Sequence, residues 1–155
     1  MDTKRHRVFV DTNVWASILW KPGSATARAV ALLREGRVSI LVSETVLEEL
    51  ARFVRRDAVR RPAIVSRHRG WLEAEAPWSE VLPDPSPAAV ARLIARVPTE
   101  DAVVAAAALA GGAEFLLTGD SRFLAALPAI ELRPLSPAEV LRLHASGESP
   151  WASQP

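Results

Sequence analysis

The chain has 155 residues, 49% hydrophobic and 24% charged, with nineteen Lys and Arg against eighteen Asp and Glu. That is the size of one ordinary domain able to bury a core, and the near-neutral balance argues against a strongly basic protein that coats nucleic acid or a membrane surface. With no Cys and three scattered His (His6, His68, His144), the chain offers neither a disulfide scaffold, nor a thiolate zinc site, nor a Cys nucleophile.

The basic start MDTKRHR leads into Val-Phe-Val-Asp, not a long apolar stretch, so no signal peptide is expected and the expected location is the cytoplasm. Val8-Phe9-Val10 reads as a buried strand ended by Asp11-Thr12-Asn13. A short helix or turn over 14–20 follows, then a helix capped by Ser24 that runs to about Glu35 and stops at Gly36. Val38–Val42 is a second buried strand, and Ser43 caps a helix with an apolar stripe at Val46, Leu50, Phe53 and Val54. Residues 57–75 read as helical with a break near Pro62. The stretch 77–98 holds five of the twelve prolines and predicts a strand at Ser79–Leu82, a turn, and a helix from Pro87 to Arg96. Thr99 is read as the cap of an Ala-rich helix, Glu100–Ala110, ended by Gly111-Gly112. The longest apolar run, 102–113, lies here and is too short for a membrane span, which needs about 20 residues. Glu114–Leu117 is a third strand, ending in Thr118-Gly119-Asp120; a helix of one to two turns, a strand at Ile130–Leu132 and a last helix from Ser136-Pro137 to His144 complete the pattern. Residues 1–144 thus read as a single domain and 145–155 as a flexible tail, with Trp151 able to dock. Continuous apolar strands alternating with helices imply an α/β fold, a three-layer α/β/α sandwich with a central parallel sheet.

In such sheets ligand sites form beyond the carboxyl ends of the strands. Two predicted strands end in acids there, Asp11 and Asp120. Asp101 opens the helix that precedes the Asp120 strand, and Glu49 (or Glu48) lies about two turns into the helix after the second strand. Each acid alone has an ordinary explanation: a turn former, a loop acid, a first-turn acid favoured by the helix dipole, or a solvated helix charge. Together they converge on one crevice. Facing carboxylates repel and are retained mainly to hold hard cations, so the cofactor expected is Mg²⁺ or Mn²⁺, which take oxygen ligands and keep several waters.

The series V-F-V-D-T-N-V-W-A-S, S-E-T-V-L-E-E-L, E-D-A-V-V-A-A-A-A-L-A-G-G-A and E-F-L-L-T-G-D-S-R-F-L resembles the PIN domain family, and most of all the small toxins of VapC-type toxin–antitoxin pairs. The resemblance runs over residues 7–143. It implies that the family's four acidic site residues fall on Asp11, Glu49 (not Glu48), Asp101 and Asp120, with Thr12, Asn13 and Thr118 as polar supports. Relatives often carry a further Asp where this chain has Pro98; Glu100 supplies a charge nearby, and the ion count implied is one or two. The implied activity is metal-dependent endoribonuclease cleavage that leaves a 5′-phosphate and a 3′-hydroxyl, with RNA as substrate, a cognate antitoxin protein as partner and a homodimer as assembly.

A polyanion needs a basic approach. Between Arg52 and Arg69 there are seven Arg and a single acid, Asp57. Arg52, Arg55, Arg56, Arg60 and Arg61 are candidate RNA contacts, since Arg meets phosphates bidentately and stacks on bases; a solvated helix face is the competing reading. Lys4, Arg5 and Arg7 are read as adding to the same field. Trp15 and Trp20, and equally Trp71 and Trp78, fit either base stacking or core packing, with their bulk favouring the core. Two other functions remain open on the sequence: a PIN-fold binding module without catalysis, and an Asp-nucleophile phosphohydrolase. The second needs an acid two residues after Asp11, where Asn13 stands, and a supporting Lys, whereas Lys4 and Lys21 both lie near the N-terminus.

Overall fold

The computed structural model describes residues 5–36, 38–75 and 79–151; Lys4, Trp78 and the last four residues lie outside them. Five strands, β1 (His6–Val10), β2 (Val38–Ser43), β3 (Glu80–Leu82), β4 (Phe115–Leu117) and β5 (Arg133–Leu135), form one parallel sheet in the order β3-β2-β1-β4-β5. The helices are α1 (Thr12–Trp20), α2 (Ala25–Glu35), α3 (Glu44–Asp57), α4 (Ala63–Ala74), α5 (Pro87–Ala91), α6 (Ala102–Ala110), α7 (Ser121–Ala126) and α8 (Pro137–Ala145). The chain steps outward from β1 to β3, then crosses back to β4 on the other side of β1. Right-handed crossovers, the near-universal hand, put α1–α4 on one face and α5–α7 on the other; α8 returns to pack on α2. The sequence's three-layer α/β/α expectation is met.

β1 is central because it is apolar on both faces. Val8, Phe9 and Val10 are fully buried, as are Leu41 and Val42 of β2 and Leu116 and Leu117 of β4. α6 covers the sheet with residues that are buried almost all round, Ala102 and Val104–Ala108, so small side chains let the helix lie close to the strands. It enters at the carboxyl ends of the strands and leaves at their amino ends. There the Arg7 guanidinium donates to the Gly111 carbonyl at 2.7 Å and pairs with Glu80 at 3.0 Å, a cation at the negative end of the helix dipole. Arg7 therefore belongs to the opposite end of the sheet from Asp11, not to a shared basic field.

Serine caps at Ser24, Ser43 and Ser136 start α2, α3 and α8 through side-chain acceptors, as the sequence predicts. Strand ends shift by one or two residues, β1 beginning already at His6, and four elements differ more. The turn or helix expected over 14–20 is a helix from Thr12, because Asp11 caps it. The Pro87–Arg96 helix is regular only to Ala91 and continues as turns. Thr99 does not cap α6: a 3₁₀ turn, Thr99–Asp101, intervenes and puts Asp101 at the cap position without a side-chain cap bond. The strand expected at Ile130–Leu132 lies three residues later. Leu127 and Ile130 are buried on one side of a 3₁₀ turn opened by Pro128, and Glu131 then takes a left-handed conformation (φ 63°). β5 tolerates Pro134 because it is an edge strand. Past α8, Trp151 stacks on His6 at 5.4 Å and meets Phe115 edge-on at 5.0 Å.

Tight packing around α6 has a measurable consequence. Ala105, fully buried, should not accept a larger side chain: Ala105→Leu is expected to lower stability by about 1–3 kcal/mol, seen as a lower urea midpoint with unchanged slope.

Candidate active site

Strand order reverses at β1, between β2 and β4, and the crevice forms where those strands end. Asp11 stands at that point. Its backbone N–H donates to Leu117 O at 3.0 Å, extending the β1–β4 ladder by one residue and drawing the side chain into the protein. Only 6% of the residue is exposed. Oδ1 accepts from the Thr12 amide at 2.8 Å, and Oδ2 accepts from the Thr118 hydroxyl at 2.9 Å and from Asn13 Nδ2 at 3.2 Å. Thr118, fully buried, also accepts from Asn13 Nδ2 at 2.9 Å and from the Asp120 amide at 3.2 Å. Asn13 Oδ1 takes the Gly119 amide at 3.0 Å, so the loops after β1 and β4 are fastened to each other around one carboxylate.

The Thr12 hydroxyl donates to Glu49 Oε2 at 2.7 Å, which holds the α3 acid over the end of β1. Glu48 is exposed, whereas Glu49 is half-buried. Asp101 comes from the opposite layer. Its Oδ2 is buried with no hydrogen-bond partner. Asp11, Glu49 and Asp101 line one groove of about 670 Å³ with Thr12 and Asn13; Arg52, Phe53, Arg55 and Arg56 form its α3 wall. Asp120 faces the adjoining recess of about 290 Å³ on the other side of Asn13, and its Oδ1 caps α7 through the Arg122 and Phe123 amides at 2.9 and 3.3 Å.

Burial pushes the Asp11 carboxyl up to about 6, and the charges of Glu49 and Asp120 add to the push; the Thr118 and Thr12 hydrogen bonds oppose it. Burial pushes Asp101 up to about 7, followed by the charges of Asp11, Asp120, Glu100 and Glu49. Among the described residues no three acidic or histidine side chains are close enough together to make a finished metal cage. The donor set nevertheless fits a hard divalent ion that keeps waters: all ligands are oxygens, and the orphaned Asp101 Oδ2 is an acceptor that nothing else fills.

The arginine segment divides. Arg52, Arg55 and Arg56 reach the groove. Arg61 donates to Trp20 O at 2.6 Å and lies 4.1 Å over the Trp20 ring, and Arg67 donates to Leu19 O and Trp20 O at 3.1 Å. These two therefore fasten the α3–α4 connection and α4 to the carboxyl end of α1. Arg60 is exposed and outside the groove. Trp15 is core, 1% exposed and 5.2 Å from the Trp71 ring. Sequence reasoning placed Phe53 only in an apolar stripe. The structure puts it in the groove wall, and the signal was available, since Glu49, Arg52, Phe53 and Arg56 have the i, i+3, i+4, i+7 spacing of one helix face.

Residues 7–122 match the family model of the PIN domain. The chain belongs to the PIN domain family. Solved structures of similar fold include VapBC2 from Rickettsia felis bound to a DNA fragment from their promoter, at 17% identity, with 84% of this chain and 98% of that one covered and a TM-score of 0.64. PAE2754 from Pyrobaculum aerophilum is 21% identical over 92% of this chain and 99% of its own, with a TM-score of 0.63. FitAB bound to an IR36 DNA fragment is 17% identical over 84% of this chain and 94% of its own, with a TM-score of 0.59. At these identities the likeness is one of fold. No curated protein sequence matches the chain.

The raised Asp11 value makes the stability of this PIN domain depend on pH when it is metal-free. Below the unfolded value of 3.8 both states are protonated and nothing is lost; as pH climbs toward about 6 the folded state must ionise a buried carboxyl, and stability falls. Asp11→Asn removes that penalty. In chelator, its stability relative to wild type should rise between pH 4 and pH 7, by about 3 kcal/mol at most, in paired denaturant titrations; a flat difference would refute the perturbed carboxyl.

Proposed function

We propose that this PIN domain is a divalent-metal-dependent endoribonuclease and the toxin of a toxin–antitoxin pair. The observation that carries the reading is the groove in which Asp11, Glu49 and Asp101 face one another at the switch point of the sheet, with an unpartnered Asp101 oxygen inside it and three arginines along its wall. Asp11, Asp101 and Glu49 are the residues that hold the ion, Glu49 directly or through water, and Asp120 contributes from the adjoining recess. When bound, Mg²⁺ or Mn²⁺, as one ion or two, supplies Lewis acidity toward a phosphodiester and toward water.

The chain's own residues do the rest. Thr118, Asn13 and the Thr12 amide fix the orientation of the Asp11 carboxylate, and the Thr12 hydroxyl fixes that of Glu49. Arg52, Arg55 and Arg56 hold phosphates on either side of the cut, where the fork of the guanidinium matches two phosphate oxygens. The products are a 5′-phosphate and a 3′-hydroxyl. The partner is an antitoxin that covers the groove and places a basic side chain among the acids; the fold shared with VapBC2 and FitAB supports such a partner. A homodimer in the cytoplasm is the assembly we assign, and among the described residues no helix is long and apolar enough to cross a membrane.

Purified protein free of any partner should cleave RNA with Mg²⁺ or Mn²⁺ and not with EDTA. Asp11→Asn and Asp101→Asn should each reduce cleavage at least a hundredfold while melting cooperatively. Wild-type rates from Asp11→Asn, or cleavage unaffected by chelator, would overturn the reading.

A further inference from the structure

Beside the carboxylate groove lies a second, mostly apolar slot of about 340 Å³, lined by Asn13, Ala16, Ser17, Trp20, Phe53 and Asp57. The two spaces share Asn13, Ala16 and Phe53, so the slot opens directly off the groove. Asn13, at the junction, also touches the Asp11 carboxylate at 3.2 Å. Trp20 and Phe53 are half-buried, with ring centroids 6.4 Å apart. Arg61 covers one face of Trp20, and Arg56 lies 5.7 Å from the centre of the Phe53 ring. Asp57 is held by Arg56 through Oδ2 at 3.2 Å, and its Oδ1 accepts nothing among the described residues.

We infer that this slot binds the nucleobase next to the scissile phosphate and selects it; the inference rests on the nuclease reading and deepens it. The two rings are tilted by 55° to each other, so a base stacks on one ring face rather than across both; an aromatic face beside a row of arginines is the arrangement that holds single-stranded nucleic acid by stacking. The rim adds discrimination. A free carboxylate oxygen at Asp57 accepts N–H groups and repels carbonyls, so it favours a base with donors on its Watson–Crick edge. Guanine offers two adjacent donors there, adenine and cytosine an amino group, and uracil one N–H between two carbonyls. The slot therefore ranks guanine first and uracil last. An apolar side chain of a protein partner is the other occupant of such a surface; it would use the rings but leave the Asp57 Oδ1 acceptor and the Ser17 side chain unused.

The test uses the full chain carrying Asp11→Asn, which does not consume its ligand. GMP, AMP, CMP and UMP are titrated by calorimetry. GMP should bind tightest and UMP weakest. Phe53→Leu, which keeps the volume and removes the ring, should weaken GMP about fivefold or more, and Asp57→Asn should erase the ranking among bases without abolishing binding. In the background with Asp11 intact, Asp57→Asn should change which base flanks the cut when cleavage of a mixed RNA pool is mapped. Equal binding of all four nucleotides, binding unmoved by Phe53→Leu in a cooperatively melting protein, or an unchanged cleavage pattern would each overturn the inference while leaving the nuclease reading intact. Ranked binding in the slot together with no cleavage of any RNA would instead sink the nuclease reading and leave the base site standing.

Discussion

The burial of one carboxylate at the end of the central strand is the constraint on which the rest of the site depends. β1 has neighbours on both sides, so its carboxyl end cannot swing out to solvent. Asp11 is therefore desolvated, and three donors, the Thr12 amide, the Thr118 hydroxyl and Asn13 Nδ2, offset part of that cost. Each donor does a second job. Thr12 holds Glu49 through its hydroxyl, Thr118 takes the Asp120 amide, and Asn13 bonds to the Gly119 amide. The acids from β1, α3 and the β4 loop are thereby positioned by one connected hydrogen-bond network. Removing a single member leaves a buried polar group unsatisfied, and that costs more than the bond itself contributes.

Much of this was legible in the sequence, and the reason lies in burial. The central strands β1, β2 and β4 are covered on both faces, so they read as continuous apolar runs, and the acids at their ends mark the crevice. Serine caps were equally readable, because capping is a local interaction between a side chain and amides two or three residues on. The failures have a common cause in non-local packing. At Ile130–Leu132 the buried apolar residues are the end of a 3₁₀ turn, Ile130, and a residue just past it, Leu132, while the pairing residues of β5 include Pro134, a poor strand former that only an edge position admits. Thr99 looked like a cap, but Pro98 and the 3₁₀ turn shift the helix start to Asp101.

The choice between Glu48 and Glu49 came from family resemblance, although helix geometry decides it. Val46, Leu50 and Val54 are buried and define the inner face of α3. Glu49 stands three residues after Val46, on the flank of that face, whereas Glu48 points away. The same phase carries Phe53 and Arg56 to the groove. What no local pattern displayed was the division of labour among the arginines, since it depends on where α1 ends. The last carbonyls of α1 lack intrahelical partners, and Arg61 and Arg67 reach across to satisfy those of Leu19 and Trp20. The basic count of the segment therefore overstates the surface that faces the site.

The groove holds opposite charges apart. Arg52, Arg55 and Arg56 share its lining with three carboxylates, yet among the described residues the ion pair formed by this set is Arg56 with Asp57, and none joins an arginine to Asp11, Glu49 or Asp101. Had the arginines collapsed onto the acids, Asp11 and Asp101 would ionise more easily than a free carboxyl; both instead hold their protons to higher pH. Unmet negative charge at the floor attracts a cation, and the charge of Arg52 and Arg55 along the α3 wall, which no described ion pair offsets, attracts an anion. A groove that keeps the two apart suits a ligand that brings both signs, a divalent ion beneath a phosphate chain. It also explains why a nearly neutral composition does not argue against a nucleic-acid partner: the first 78 residues hold fourteen Lys and Arg against nine Asp and Glu, the last 77 five against nine, and the fold brings the α3 arginines of the first half against Asp101 of the second.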